Sequence, residues 1–556
     1  MPTSGLVLDQ LIAHGRGSLA VLCGAGISAP SGLPLATSLL EYLLEQFGIE
    51  AGDSKALIRA DGTLALPFES CMDVVLDNAK NRDLLSLFLL GQPAPGHHVL
   101  ADLMQREIVL DVYTTNFDCL IETALATRGL YSGVHYELAY DDSRFGNARR
   151  NTRSVVKLHG TAREPSTVRA TLPGVASAGQ SAHLLSAIDW LLREGRHERV
   201  LVIGYSCSDV FDIVPAIESI TAGSKQVILI EHTPGSTDLS SRATEQIGER
   251  SKNNPFRNFA GWRLCIDADA ALARLQDALG VPLRIATEPA FDWRDTVNTW
   301  AVPLRNDHRG ATILAQLFYR ISDIPCARKY YDRALAICRH VGDAAHEGAA
   351  LTNIGLLHDD LDEHALAATL HAEALQRFTS SAHVIGVASA HANLGFSLAY
   401  IDPMQAIEHS RTAIRSAAER GFDWIVANAL NNLGLAHERL GRYDDARAAY
   451  SAALAADRTN KQGEAVTLNN LSALEQLRGD LPGALRFAGD ALAISSRLGY
   501  RHAELEALAH LSLIARRSGN EAEAQEYDRQ LEVLVKTSKL PDPRPRLSAS
   551  PKAGGS

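Results

Sequence analysis

Four short segments of the 556-residue chain gather chemistry-bearing residues directly after apolar runs. Gly24-Ala25-Gly26-Ile27-Ser28 follows the run 19–23, and Thr115-Asn116-Phe117-Asp118 follows 108–114. His159-Gly160 follows 154–158, and Gly204-Tyr205-Ser206 follows 199–203. Glycine accepts the unusual dihedrals of a tight turn and lets backbone N–H groups approach a phosphate. An imidazole such as His159 titrates near neutrality and can serve as a general base. The Asn116 carboxamide can hold a water or a hydroxyl without charge. Asp118 can accept hydrogen bonds or favour a developing positive charge. Each also has a plainer structural reading. His159 could be a strand-end hydrogen-bonder, Asn116 a helix cap, Asp118 a favoured acid in a first helical turn, and Ser206 a turn serine.

These segments need elements to position them. The runs 19–23, 108–114, 154–158, 199–203 and 226–230 are brief, rich in Val, Ile and Leu, and end at glycine, polar or acidic residues. They read as buried strands. Helical patterns cover 36–47, 96–105, 118–126 and 181–194. Strands alternating with helices predict a Rossmann-like α/β parallel sheet covered on both faces. Ligands of such sheets sit beyond the carboxyl ends of the strands.

The order Gly-Ala-Gly-Ile-Ser, Thr-x-Asn-x-Asp, His-Gly, Gly-x-Ser resembles that of the sirtuin family. So does Ala94-Pro95-Gly96-His97-His98-Val99-Leu100-Ala101, which is similar to that family's Pro-x-x-His-x-x-Leu-Ala helix start. The resemblance spans about residues 18–275. It implies NAD+ as substrate, with Gly24, Ala25, Gly26 and Ser28 around its phosphates and Gly204 and Ser206 on the adenosine half. Glu231, after the run 226–230, is a candidate for the ribose hydroxyls, with a solvated surface acid as the alternative. Asn116 and Asp118 would line the nicotinamide and ribose pocket, and His159 would be the catalytic histidine. The departures are as informative. Sirtuin deacetylases carry two Cys-x-x-Cys pairs between His-Gly and Gly-x-Ser, and no cysteine lies between Cys119 and Cys207 here. No zinc and no cofactor beyond the substrate are therefore expected. The family's Asp-Phe-Arg is replaced by Leu35-Ala36-Thr37. The remainder is similar to bacterial anti-phage proteins with a sirtuin-like domain, which implies NAD+ hydrolysis to ADP-ribose and nicotinamide. An NAD or ADP-ribose sensor without turnover, and a deacylase or ADP-ribosyltransferase, are the alternatives.

The second half repeats. Ala315, Gly355, Gly395, Gly434, Ser472 and Ser512 recur at intervals of 40, 40, 39, 38 and 40 residues. Ala327, Ala367, Ala406, Ala446, Ala484 and Ala524 form a second register. Four of the first set follow an Asn-apolar pair, as in Asn432-Leu433. Each unit reads as two helices, and the pattern resembles the tetratricopeptide repeat in a form of about 40 residues. The expected layout is residues 1–285 for the nucleotide part and 286–305 for a connection. About six repeats follow over 306–540, and a Pro-rich disordered tail over 541–556. An array of this kind implies a protein partner, of phage or host origin.

Composition excludes other classes. Hydrophobic residues make up 46% and charged residues 21%, ordinary for a folded chain. The net charge of -11 argues against a nucleic-acid binder. No run of about 18 apolar residues suggests a membrane span. Seven scattered cysteines without a Cys-x-x-Cys pair fit a reducing cytoplasm. A homo-oligomer is expected, though no residue set specifies it.

Overall fold

The computed structural model describes residues 2–13, 15–59, 62–141, 143–145, 153–168, 182–207, 213–220, 225–242, 244–246, 254–282, 291–456, 461–498, 500–538 and 540–548. They form two compact units. One comprises Met1–Leu43 and Asp61–Val302, the other Leu44–Ala60 and Pro303–Ser556.

Among the described residues the first unit holds eight strands: β1 Leu19–Cys23, β2 Val109–Thr114, β3 Glu137–Ala139, β4 Ser154–Lys157, β5 Arg199–Ile203, β6 Gln226–His232, β7 Thr244–Gln246 and β8 Ala260–Ile266. Their order is β3-β4-β2-β1-β5-β6-β8-β7. All neighbours are parallel except the β7–β8 pair. Central β1 is buried at every position. Its side chains alternate between the two faces of the sheet. Leu19, Val21 and Cys23 join a core with Leu8, Val99, Leu103 and Leu272 from the helices Ser4–Ala13, Pro95–Gln105 and Ala268–Ala278. Ala20 and Leu22 join the opposite core with Leu184, Ile188 and Ile217 from Ala182–Asp189 and Ile213–Glu218. Burial on both faces explains the uninterrupted apolar run, and each fully buried leucine contributes roughly 1.5–3 kcal/mol.

The five expected strands are present, with ends shifted by two residues at most. β3, β7 and β8 were not foreseen. The expected helix over 181–194 is described from Ala182 and changes form: Ala182–Asp189 passes into a wider π-helical turn, Trp190–Glu194.

Among the described residues the second unit holds six helix pairs, from His308–Arg320 with Ile324–Val341 to Arg501–Arg517 with Glu521–Ser538. The small residues of the first register lie where the two helices of a pair cross. A Cβ on Gly355 would meet the His371 ring, on Gly395 the Ser410 hydroxyl, and on Gly434 the Tyr450 ring. The repeated asparagines join successive pairs. Asn432 Nδ2 donates to Ala392 O at 2.9 Å, and Asn470 Nδ2 to Asn431 Oδ1 at 3.0 Å.

Three expected boundaries are corrected. Leu44–Ala60 belongs with the repeats rather than with the surrounding sheet unit. Tyr330 explains this: its hydroxyl donates to Asp53 Oδ2 (2.7 Å) and accepts from Glu50 N–H (2.9 Å), while Lys329 pairs with Glu50 and Asp53. The expected connection over 286–305 contains the helix Trp293–Asn306, whose Trp293 ring packs edge-on against Tyr42 at 5.4 Å. The expected disordered tail begins with order. Leu540 is buried, Arg544–Ser548 is helical, and Arg544 pairs with Asp542 and Asp528. Residues 549–556 lie outside the described ones.

Gly434 provides a test. Its Cβ position stands 2.6 Å from Tyr450 Cδ1, and Tyr450 is fully buried. Gly434→Val should destabilise the repeat unit by about 1–3 kcal/mol through overpacking, read as a lower melting temperature by circular dichroism. An unchanged melting curve would show that the crossing is looser than described.

Candidate active site

The strand order sets β4, β2, β1 and β5 side by side, so the four chemistry-bearing segments leave the sheet from adjacent ends. Thr114 pairs with Cys23 and with Lys157, and Cys23 pairs with Ile203. Hydrogen bonds continue past the strands: Thr115 N–H donates to Cys23 O (3.2 Å) and Leu158 N–H to Thr114 O (2.8 Å). Because β2 lies on one side of β1 and β5 on the other, β1 is the switch point of the sheet, where doubly wound folds bind ligands.

The glycines meet one another here. A Cβ on Gly24 would stand 2.7 Å from Gly204 O, and one on Gly26 would stand 2.8 Å from Gly204 Cα. Gly204 itself has φ +66°. Gly26 N–H donates to Gly204 O at 2.9 Å. The three glycines thus seat one turn against the other, backbone on backbone. After β1 the chain makes two 3-10 turns, Ala25–Ile27 and Ala29–Ser31, before the helix Ala36–Gln46. Ala25 and Gly26 are exposed, and the Ala25 N–H has no partner among the described residues.

Behind this turn lies a buried polar hub centred on Ser28. Its hydroxyl donates to Asp118 Oδ2 (2.7 Å), accepts from Asn116 Nδ2 (3.0 Å) and lies 3.1 Å from His97 Nε2. His97 Nδ1 accepts from Ala94 N–H at 3.1 Å, so its hydrogen is on Nε2 and points to Ser28. Burial lowers the His97 pKa, in keeping with this neutral form. Asp118 Oδ1 accepts from the N–H of Leu120 (3.0 Å), the first residue of the helix Leu120–Ala126, whose N-cap position is Cys119. One carboxylate therefore serves both the helix start and the hub. Asn116 Nδ2 also donates to Gly24 O at 3.1 Å, while its Oδ1 is buried and has no partner among the described residues. His97 had been noted only as part of a helix start. The sign that it does more is its place three residues after Ala94, within reach of that residue's N–H.

Under the hub sits Lys157, which sequence reasoning did not single out. It is fully buried, lies 3.0 Å from Glu122 Oε1 and donates to the Asp118 carbonyl. Burial alone would push its pKa down, but Glu122 and then Asp118 hold it above the ordinary lysine value. Burial pushes the Cys23 thiol up to about 12, so at neutral pH it is a packing group and not a nucleophile.

His159 follows on the β4 side, two residues past Lys157, and is buried. Gly160 after it has φ +85°, and the backbone of Thr167 fills the place of a Cβ. The His159 ring stands 6.4 Å from that of Phe117, which contacts Phe88 edge-on at 5.4 Å. Phe117 and Phe88 form an apolar patch with Leu85 and Val168. On the β5 side Ser206 is exposed beside Gly204. Glu231 is not brought to the hub: β5 separates its strand from β1, and its carboxylate is bound by Arg263 of β8.

Two measurements test this arrangement. Lys157→Met leaves Glu122 buried without its counter-charge and should cost about 3–5 kcal/mol, with Lys157→Met/Glu122→Leu recovering most of it. Equal losses in single and double variants would exclude the pair as the cause. The lowered His97 pKa sets a sign for pH. The unfolded chain protonates first, so the stability His97 supports is present above its ordinary value of 6.5 and is lost as pH falls below it. Denaturation between about pH 8 and 5 should show that decline, and His97→Gln should flatten it. A parallel decline in the variant would assign it to other groups.

Comparison with known proteins agrees with this layout. A model of the SIR2-like domain matches residues 111–249, and tetratricopeptide-repeat models match residues 427–460 and 465–501. No curated protein matches the chain. Among solved structures it is similar to the Rap protein complexed with Competence and Sporulation Factor, at 13% identity over 49% of this chain and 86% of that one, with a TM-score of 0.34. It is also similar to the apo form of RapI (15%, 45% and 92%, TM-score 0.36) and to BtubC from P. vanneervenii (22%, 41% and 96%, TM-score 0.30). The domain match takes in Asn116, Asp118, His159, Gly204 and Ser206, and the Gly24–Ser28 turn is bonded to it through Gly204, Asn116 and Asp118. The chain joins a SIR2-like domain to an array of tetratricopeptide repeats.

Proposed function

We propose that the SIR2-like domain is an NAD+ glycohydrolase that cleaves NAD+ to ADP-ribose and nicotinamide. The supporting observation is the Asn116 carboxamide. Its nitrogen is held by Gly24 O and Ser28 Oγ, and its buried oxygen is left over. An oriented, unspent acceptor of this kind suits a ribose hydroxyl or a nucleophilic water.

The bond from ribose C1′ to the nicotinamide nitrogen breaks through an oxocarbenium-like state. Nicotinamide leaves as a neutral base and needs no proton. Water adds to C1′, and His159 takes the proton that the water releases, so one proton appears per turnover. Asp118, bound to Ser28 and Leu120 N–H, acts mainly by fixing the hub and adds negative potential near the developing cation. The exposed turn at Ala25 and Gly26 meets the pyrophosphate, and Gly204 and Ser206 flank the adenosine half. Glu231 has no part in this scheme, because Arg263 holds its carboxylate.

A freely active NAD+ hydrolase would harm its own cell. The proposal therefore includes low basal activity in a cytoplasmic homo-oligomer, released when a phage or host protein binds the repeats. Anti-phage defence by NAD+ depletion is the corresponding cellular role. The test is to incubate the full-length chain with NAD+, alone and with extract of infected cells, and to separate the products. Nicotinamide and ADP-ribose should appear in equal amounts, and Asn116→Ala and His159→Ala should lower the rate by about 10²-fold or more. Intact NAD+ under both conditions, together with wild-type and His159→Ala cells that keep equal NAD+ on infection, would overturn the proposal.

A further inference from the structure

In the repeat unit two histidines and an aspartate converge. His308 opens the helix His308–Arg320. Asp343 is the N-cap of the next repeat's first helix, Ala344–Asp360, and His346 lies in that helix's first turn. One donor atom from each of the three residues lies within 4.8 Å of the others. The His308 and His346 ring centroids are 4.1 Å apart at 34°. Two imidazoles at that distance gain little from one another in water, and a proton on either repels a proton on the other.

The groups around this set are otherwise engaged. Asp307, beside His308, is taken by Arg309, at 2.8 Å to Nε and 2.7 Å to Nη2. The thiol of Cys338 is buried and pushed up to about 12, so it stays protonated. Asp343 is oriented by its capping bond, Oδ1 accepting from His346 N–H at 3.1 Å, while Oδ2 lies 2.7 Å from His346 Nδ1.

We propose that His308, Asp343 and His346 bind a divalent transition ion of the zinc class and so join the first two repeats. Two imidazoles and a carboxylate are a donor set that suits zinc, with water as the fourth ligand. Tetrahedral zinc with Zn–N near 2.0–2.1 Å places its donors about 3.3 Å apart. Closing from within 4.8 Å to that spacing falls to rotation of the side chains, of which His346 is exposed and the other two are half-buried. The ion would bridge two helices whose packing already places them in register, which adds binding free energy to the folded state alone.

The experiment uses tag-free full-length protein and Zn2+ and Co2+ as probes. One equivalent of Co2+ should give the visible absorption of a tetrahedral site, lost on adding Zn2+, and Zn2+ should raise the melting temperature. His308→Ala and His346→Ala should each weaken binding by about tenfold or more. Asp343→Asn keeps the helix cap, because asparagine caps equally well, and should weaken the metal while leaving the metal-free melting temperature unchanged. No Co2+ or Zn2+ bound at low-micromolar concentration, or binding that survives in all three variants, would overturn the proposal.

Discussion

Gly24 and Gly26 have no room for a side chain because the backbone of Gly204 occupies it. Everything at the carboxyl end of the sheet depends on that close approach. It brings the turn after β1 against the turn after β5 and uses a backbone hydrogen bond to keep it there. With the turn fixed, Ser28 falls within reach of three polar side chains. The glycines thus serve the protein before any ligand arrives, and the exposed part of the turn is left for one.

The Ser28 hydroxyl then works as a small switchboard of donors and acceptors. It has one hydrogen and two lone pairs, and Asp118, Asn116 and His97 use all three. A neutral His97 is the state that balances this account, and its burial favours that state. Each broken contact in such a site strands a buried polar group, at roughly 1–3 kcal/mol. Lys157 lies beneath, its charge matched by Glu122, and fastens the loop that carries Asn116 to the strand that carries His159.

Much of this was legible from residue order. β1, β2, β4, β5 and β6 are rich in Val, Ile and Leu because their middles are buried on both faces, which is a strong local signal. The repeats were legible because the same small residue must recur wherever two helices cross. β8 was hidden because Ala260–Ile266 alternates buried Leu264 and Ile266 with exposed Ala260 and Cys265. β3 has only three residues to show. At the site, residue types pointed to Asn116, Asp118 and His159. Which bonds they make depends on contacts across many tens of residues, such as Asn116 with Gly24 and Ser28 with His97. Lys157 was missed because a lysine in an apolar run reads as a strand end until Glu122 is placed beside it. Glu231 stands on β6, two strands from β1, and its partner Arg263 could not be anticipated because it lies on the strand that was not foreseen.

The segment Leu44–Ala60 carries a different lesson. It leaves the sheet unit to complete the repeats, with Arg333 donating to Gly48 O at 2.8 Å beside the Tyr330 and Lys329 contacts. The chain therefore passes from one unit to the other three times. A fragment started at Pro303 would look complete by repeat count, yet it would lack the piece that satisfies Tyr330 and Lys329. Dissecting this protein into parts is accordingly a problem of two cuts and a graft, not of one well-placed terminus.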